Sequence, residues 1–464
     1  MASLKSLGEL PSGSAEQRTD TESGSTTTAR PGDSSPDLTS ASLPREPEHD
    51  AEKATPSQKP LAPAPPDGGA KAWLVILGAW CASFCSFGWV NSIGVFQEYY
   101  QNTLLKDYSS STISWIPALQ IFFVMGTGPF VGYVYDRYGP RWLLLGGSFL
   151  HVFGLMMASL STEYYQILLA QGLCSGIGVS AVFQPSLSCA AGWFNKKRAT
   201  AFGILFTGSS VGGIVIPLMV SRLIRSIGFP WAMRTGAFLL LALLIITNLT
   251  VRPFQPPIPQ KKTTLAQLSK PLGEVQFQLT MVGFFFFSFG FFVPINYITV
   301  QAIDEDMRPN LADAILPVLN AASLIGRLLS GFLGDKLGRY NVFLIAGYLT
   351  SIWILALWLP AAGEAALFAF AILFGVFSGA FIPLTTPMIM QISPMAEIGY
   401  RTGIVFFTAA ISGLAANPVS GAILEGSGGW TGLKVFCGVV CVVGTTAILV
   451  GRIKKTGWKL LVLF

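Results

Sequence analysis

From Trp73 onward the chain passes through twelve stretches of twenty or more mostly apolar residues, separated by short polar breaks. A helix needs about 20 apolar residues to cross roughly 30 Å of hydrocarbon, and backbone inside lipid must satisfy its own hydrogen bonds. The stretches predict membrane spans at 73–96, 112–134, 141–160, 165–191, 199–222, 231–251, 276–300, 312–334, 340–360, 365–391, 402–424 and 431–451. The least certain boundary is the start of the sixth, after Gly228, Phe229 and Pro230. No ten-residue alternation of apolar and polar positions runs through them, which argues against membrane strands. The expected class is all-α and integral to the membrane. Composition agrees: 12% of residues are charged, about half the globular share, and 49 Gly suit helices packed closely through small side chains.

Residues 1–70 are a different material, rich in Ser, Thr, Pro, Glu and Gly and with no Phe, Tyr or Trp before Trp73. Such a segment buries too little apolar area to offset its ordering entropy, and a disordered tail is expected. It has no early apolar core with a cleavage site, so the first span is expected to act as the insertion signal. Basic residues cluster in alternate loops: Arg137 and Arg141; Lys196, Lys197 and Arg198; Arg252, Lys261, Lys262 and Lys270; Lys336 and Arg339; Arg401; and the tail after Arg452. The positive-inside rule then puts both termini and the central loop in the cytoplasm, which an even number of spans allows. Charge scattered in this way is no nucleic-acid footprint. The six cysteines sit inside apolar runs. The pairs Cys81/Cys85 and Cys437/Cys441 lie one helical turn apart, awkward for a disulfide and without a nearby His for a metal, so no metal or cofactor is expected. His151 is expected to be a packed helix residue.

One string occurs twice. After the second span the chain reads Gly132-Tyr-Val-Tyr-Asp136-Arg137-Tyr-Gly139-Pro-Arg141, and after the eighth Gly331-Phe-Leu-Gly-Asp335-Lys336-Leu-Gly338-Arg339. The copies are offset by 199 residues and both fall on the expected cytoplasmic side. The Gly permits close helix approach, while the Asp and the basic residues can pair across an interface between halves. This pattern resembles the loop signature of the major facilitator superfamily. The resemblance implies two six-helix bundles about a central cavity, related by a pseudo-two-fold axis along the membrane normal. The expected organisation is a cytoplasmic tail at 1–70, an N-terminal bundle at 71–252, a linker loop at 253–275, a C-terminal bundle at 276–455 and a short tail at 456–464. The two motif copies would gate the cytoplasmic side.

A narrower resemblance rests on two further strings. Asp67-Gly68-Gly69 leading to Trp73, and Trp193-Phe194-Asn195-Lys196-Lys197-Arg198-Ala199-Thr200-Ala201-Phe202-Gly203 entering the fifth span, are similar to the signatures of the monocarboxylate porter family, in a fungal form. Ala70-Lys71-Ala72 departs from it where an aromatic is commoner.

Ionisable residues deep in a span are costly, at least ~2.5–3.5 kcal/mol at the centre of an isolated helix. Arg327 stands out, roughly 12 Å from the cytoplasmic end of its helix at 1.5 Å per residue. Asn320, Ser323, Arg327, Ser330 and Gly334 follow at spacings of 3, 4, 3 and 4, one polar stripe expected to face the cavity, with Leu316, Leu324, Leu328 and Phe332 to the side. The resemblance implies that Arg327 meets a substrate carboxylate, for which a planar guanidinium is well shaped. The alternative is a structural arginine bound to helix carbonyls or Asn side chains. Two positions depart from proton–lactate relatives: Ser323 stands where they carry an aspartate, and Asn91 where they carry a lysine. Asn296 and Tyr297, after Pro294, are further substrate-binding candidates. Gln184-Pro185 and Asn417-Pro418 mark helix breaks, read as hinge or packing features ahead of ligands, and the Phe284–Phe287 run as lipid-facing or packing surface.

No Gly-Lys dipeptide occurs, which excludes a Walker A loop and an ATP-driven pump. No nucleophile–base constellation lies in the spans, and no enzyme activity is expected. The expected function is a secondary active or facilitative transporter that moves a small, monocarboxylate-like organic anion by alternating access, with protons as a candidate second cargo. Export of a fungal acidic secondary metabolite is the alternative. A non-transporting nutrient sensor ranks below both, since such sensors append a signalling tail and about a dozen residues follow the twelfth span. The expected place is a multi-pass position in the plasma membrane, with a vacuolar or other internal membrane second.

Overall fold

The computed structural model describes residues 65–255 and 269–458. The tail before residue 65, most of the central loop and the ending Leu460–Phe464 lie outside the described residues. Among the described residues there are helices and no strands. Twelve helices are long and apolar enough to span a bilayer: α1 Ala70–Leu104, α2 Thr112–Tyr138, α3 Arg141–Ala158, α4 Tyr164–Trp193, α5 Arg198–Ile227, α6 Phe229–Thr250, α7 Val275–Asp304, α8 Asn310–Leu337, α9 Arg339–Trp358, α10 Glu364–Gln391, α11 Met395–Glu425 and α12 Gly429–Thr456. Each meets one expected span. α1 overruns its expected end because it is interrupted: a π-helical stretch at Phe84–Gly88 leads to a turn at Asn91 and Ser92, and the helix resumes at Ile93. α6 starts at Phe229, with Pro230 in the first turn where its missing N–H leaves nothing unpaired.

The first and second six helices pack in the same way. α1 lies against α5 and α6, α2 against α4, and α3 against α4 and α6; α7 lies against α11 and α12, α8 against α10, and α9 against α10 and α12. This is the two-bundle architecture. Each bundle has a largely apolar core. In the second, Phe284 and Phe287 are buried and meet Phe343 and Phe381, so half of the phenylalanine run is core, not lipid-facing surface.

The bundles meet chiefly through two crossings, α2 on α11 and α5 on α8. Glycine sets both. A Cβ on Gly132 would lie 2.1 Å from the Gly399 carbonyl oxygen, and one on Gly331 would lie 2.6 Å from that of Ala199. The turns that follow α2 and α8 use Gly139 and Gly338 at φ 78° and 93°, a left-handed conformation that explains the last Gly of each motif copy.

Candidate transport pathway and gate

At the basic face, the one loop charge assigns to the cytoplasm, each motif aspartate crosses to the opposite bundle. The Asp335 carboxylate accepts from the backbone N–H groups of Ala199 (2.9 Å) and Thr200 (2.7 Å). Asp136 accepts from those of Gly399 (3.0 Å) and Tyr400 (2.8 Å). The first N–H groups of a helix have no intrahelical partner and carry its positive dipole end, so a carboxylate docks there without ordering a second side chain. The basic motif residues behave differently. Arg339 crosses, donating to the Asn195 carbonyl at 2.6 Å while 3.7 Å from Asp335. Arg137 stays on α2, donating to the Tyr133 hydroxyl, and Lys336 lies over the Phe332 ring. Arg141 is exposed at the start of α3. The pairing expected across the halves thus holds for Arg339 alone among the basic residues, because backbone donors already occupy both carboxylates.

The start of α11 is pinned separately. Arg401, 1% exposed, pairs with both oxygens of Glu274 at 2.7 Å and with Glu397 at 2.9 Å. Its guanidinium holds the Glu274 carboxyl below the ordinary carboxylate range. The α4–α5 loop is a hub. The Asp67 carboxylate accepts from the N–H groups of Asn195 (2.5 Å) and Lys196 (2.7 Å), and the Trp193 indole donates to the Arg252 carbonyl. The two signature strings of the sequence are therefore one contact in the fold.

Deeper in, Arg327 is 8% exposed and reaches across to α5. Its Nη1 donates to the Phe206 carbonyl at 2.6 Å and to the Ser209 hydroxyl, while its Nε has no partner. No carboxylate is among its hydrogen-bond partners in the described residues. Asn320, Ser323 and Ser330 are buried with it, whereas Leu328 and Phe332 are 42% and 49% exposed. Asn91 is half-buried at the α1 break and packs against Gly213 of α5. Asn296 and Tyr297 lie elsewhere: Asn296 donates to the Asn417 side chain at 2.9 Å and the Tyr297 hydroxyl to the Asn417 carbonyl at 3.2 Å. Counting residues from the basic ends of α7 and α8 at 1.5 Å each, that trio sits on the order of 15 Å further out than Arg327. One small acid cannot touch both sets at once. Ser209 was not singled out from sequence. Its signal was the Gly203, Gly208, Ser209 and Gly212 run, which brings α5 close to its neighbours.

The profile of the Major Facilitator Superfamily matches residues 75–363 and 280–460. The chain is a member of the major facilitator superfamily. Two curated relatives match over nearly their whole length. It is 52% identical to the MFS transporter asaE of Aspergillus flavus over 417 residues, 90% of this chain and 94% of that one. It is 49% identical to the Fujikurins efflux protein of Gibberella fujikuroi over 447 residues, 96% of this chain and 94% of that one. The fold is similar to that of the E. coli fucose:proton symporter FucP, with a TM-score of 0.67 at 13% identity, covering 81% of this chain and 98% of that one. This major facilitator protein is a multi-pass membrane transporter of fungal type, and the two crossings are the contacts between its halves.

Proposed function

We propose that the chain exports an organic acid across the plasma membrane, and that within the superfamily it is related to the monocarboxylate porters. The observation that carries the acid is Arg327: a guanidinium buried at the interface between halves, with an unpaired Nε and no carboxylate to answer its charge. Truncating a buried charge-pair partner costs about 2–5 kcal/mol, so an anion that completes the pair gains a large share of its binding there. Export is favoured by the Fujikurins efflux protein, similar over almost the whole chain.

The geometry supports a simple cycle. Among the described residues the hydrogen bonds between halves lie toward the basic face, at Asp136, Asp335, Arg339, Thr200 and Arg327, an arrangement that supports an outward-facing state. Opening that face parts α5 from α8 and frees Nη1 of Arg327 for a carboxylate or enolate from the cytoplasm. Closing it returns Phe206 and Ser209 to the guanidinium, weakens the hold on the anion and releases it outward past Asn296 and Asn417. The experiment is a deletion strain compared with wild type by untargeted metabolite profiling of cells and medium. An acid that accumulates in the cells and fades from the medium is the expected result. Depletion inside with persistence outside would make the protein an importer.

A further inference from the structure

Gln184, on α4, is 4% exposed, and neither its amide oxygen nor its amide nitrogen has a hydrogen-bond partner. A buried amide left unpaired is costly, so a residue of this kind persists where another state or a ligand satisfies it. Its position is specific. The amide nitrogen lies 2.8 Å from where a Cβ on Gly128 would sit, wedged at the crossing of α2 and α11 beside Gly403.

Gly128 precedes Asp136 by eight residues, and Arg327 precedes Asp335 by eight. The pseudo-two-fold therefore places Gln184 and Arg327 at one depth on opposite sides of the interface. Between them lies an aromatic set. The Phe183 ring meets Phe206 at 5.8 Å, on the helix that binds Arg327, and Phe406 at 6.1 Å, on the helix against which Gln184 packs; Phe87 completes it at 4.9 Å. With the basic face closed, both polar groups are incompletely satisfied. Opening that face separates α2 from α11 and α5 from α8 together, so both come to line the loading cavity at once.

We propose that Gln184 is the second polar pole of the substrate site, and that the transported acid carries, across a flat unsaturated body, a neutral hydrogen-bonding group that Gln184 receives. Resting on the reading of Arg327 as the anion pole, this assigns three parts to the substrate: an anion at Arg327, a planar middle against Phe183, Phe206 and Phe406, and a hydroxyl or carbonyl at Gln184.

The test uses the full chain in lipid nanodiscs, where both faces are accessible, and matched probes: benzoate with para-hydroxybenzoate, cinnamate with para-hydroxycinnamate, and hexanoate as an acid without a ring. Ring acids bearing the hydroxyl should bind wild type about tenfold more tightly than their bare partners, the scale of one hydrogen bond. Gln184→Met should erase that preference, and its melting temperature should hold or rise, since an unpaired buried amide is removed. Arg327→Gln should weaken all the acids. Equal binding of bare and hydroxylated acids, or a preference that survives Gln184→Met, overturns the role of Gln184 and leaves Arg327 standing. A lower melting temperature with the preference intact makes Gln184 a packing residue. Retention of no acid at all removes the anion pole itself, and this proposal with it.

Discussion

Arg327 owes its weight to what surrounds it. A lysine would keep the charge but lose the planar fork, and the present geometry already divides the guanidinium, with Nη1 given to α5 and Nε left open. An ammonium satisfied by Phe206 and Ser209 has no preorganised second face to offer. Arg327→Lys should therefore bind the proposed acid substrate on the order of a hundredfold more weakly, with melting temperature nearly unchanged, and wild-type affinity in the lysine variant would refute a bidentate contact. Arg327 was legible in the sequence because a lone charge deep in an apolar run is costly wherever it lies. Its partners were not: Ser209 is 118 residues away, and a serine in a membrane helix usually bonds its own helix. Gln184 was visible as a break beside Pro185, but its want of a partner is a property of α2 and α11 meeting over it.

At the scale of elements, the twelve helices could be read from length and apolarity alone, since lipid leaves a spanning segment no alternative to helix. The contacts between the halves were half legible. The repeated motif pointed to Asp136 and Asp335, but their partners are backbone N–H groups, which every residue carries, at separations of 264 and 135 residues for Tyr400 and Thr200. What the motif glycines do is now explicit: they let helix backbones touch. Gly132→Val should prevent α2 from closing on α11, because the atoms in its way, the Gly399 carbonyl and the Tyr400 nitrogen, are backbone and cannot turn aside. The variant should fold and reach the membrane, yet stay open at the basic face and fail to transport. Ser209→Cys, protected in the parent protein, should then label with an impermeant maleimide in inside-out vesicles. Protection equal to that of the parent would mean that the crossing tolerates a side chain and that Gly132 does not set the gate.

The whole molecule repeats itself at the gate and parts company eight residues into the membrane. There α2 has Gly128, which lets Gln184 approach, and α8 has Arg327. On the proposed function, two near-equivalent bundles rock against each other, and this one asymmetric layer supplies the charge that an organic acid would meet. The same layer limits how a proton gradient could drive it. The carboxylates Asp136 and Asp335 lie at the helix ends and are held by backbone N–H groups, and no Asp or Glu falls mid-span. A proton that crosses with the proposed acid would then travel on the acid's own group, on water or on a residue at a span edge. For two ring acids of matched shape and well-separated pKa values, the midpoint of the flux–pH profile in proteoliposomes should move with the acid. It should also move by the same amount in Asp136→Asn. A midpoint common to both acids would instead belong to a titrating group of the protein, and the substrate would no longer be the proton's carrier.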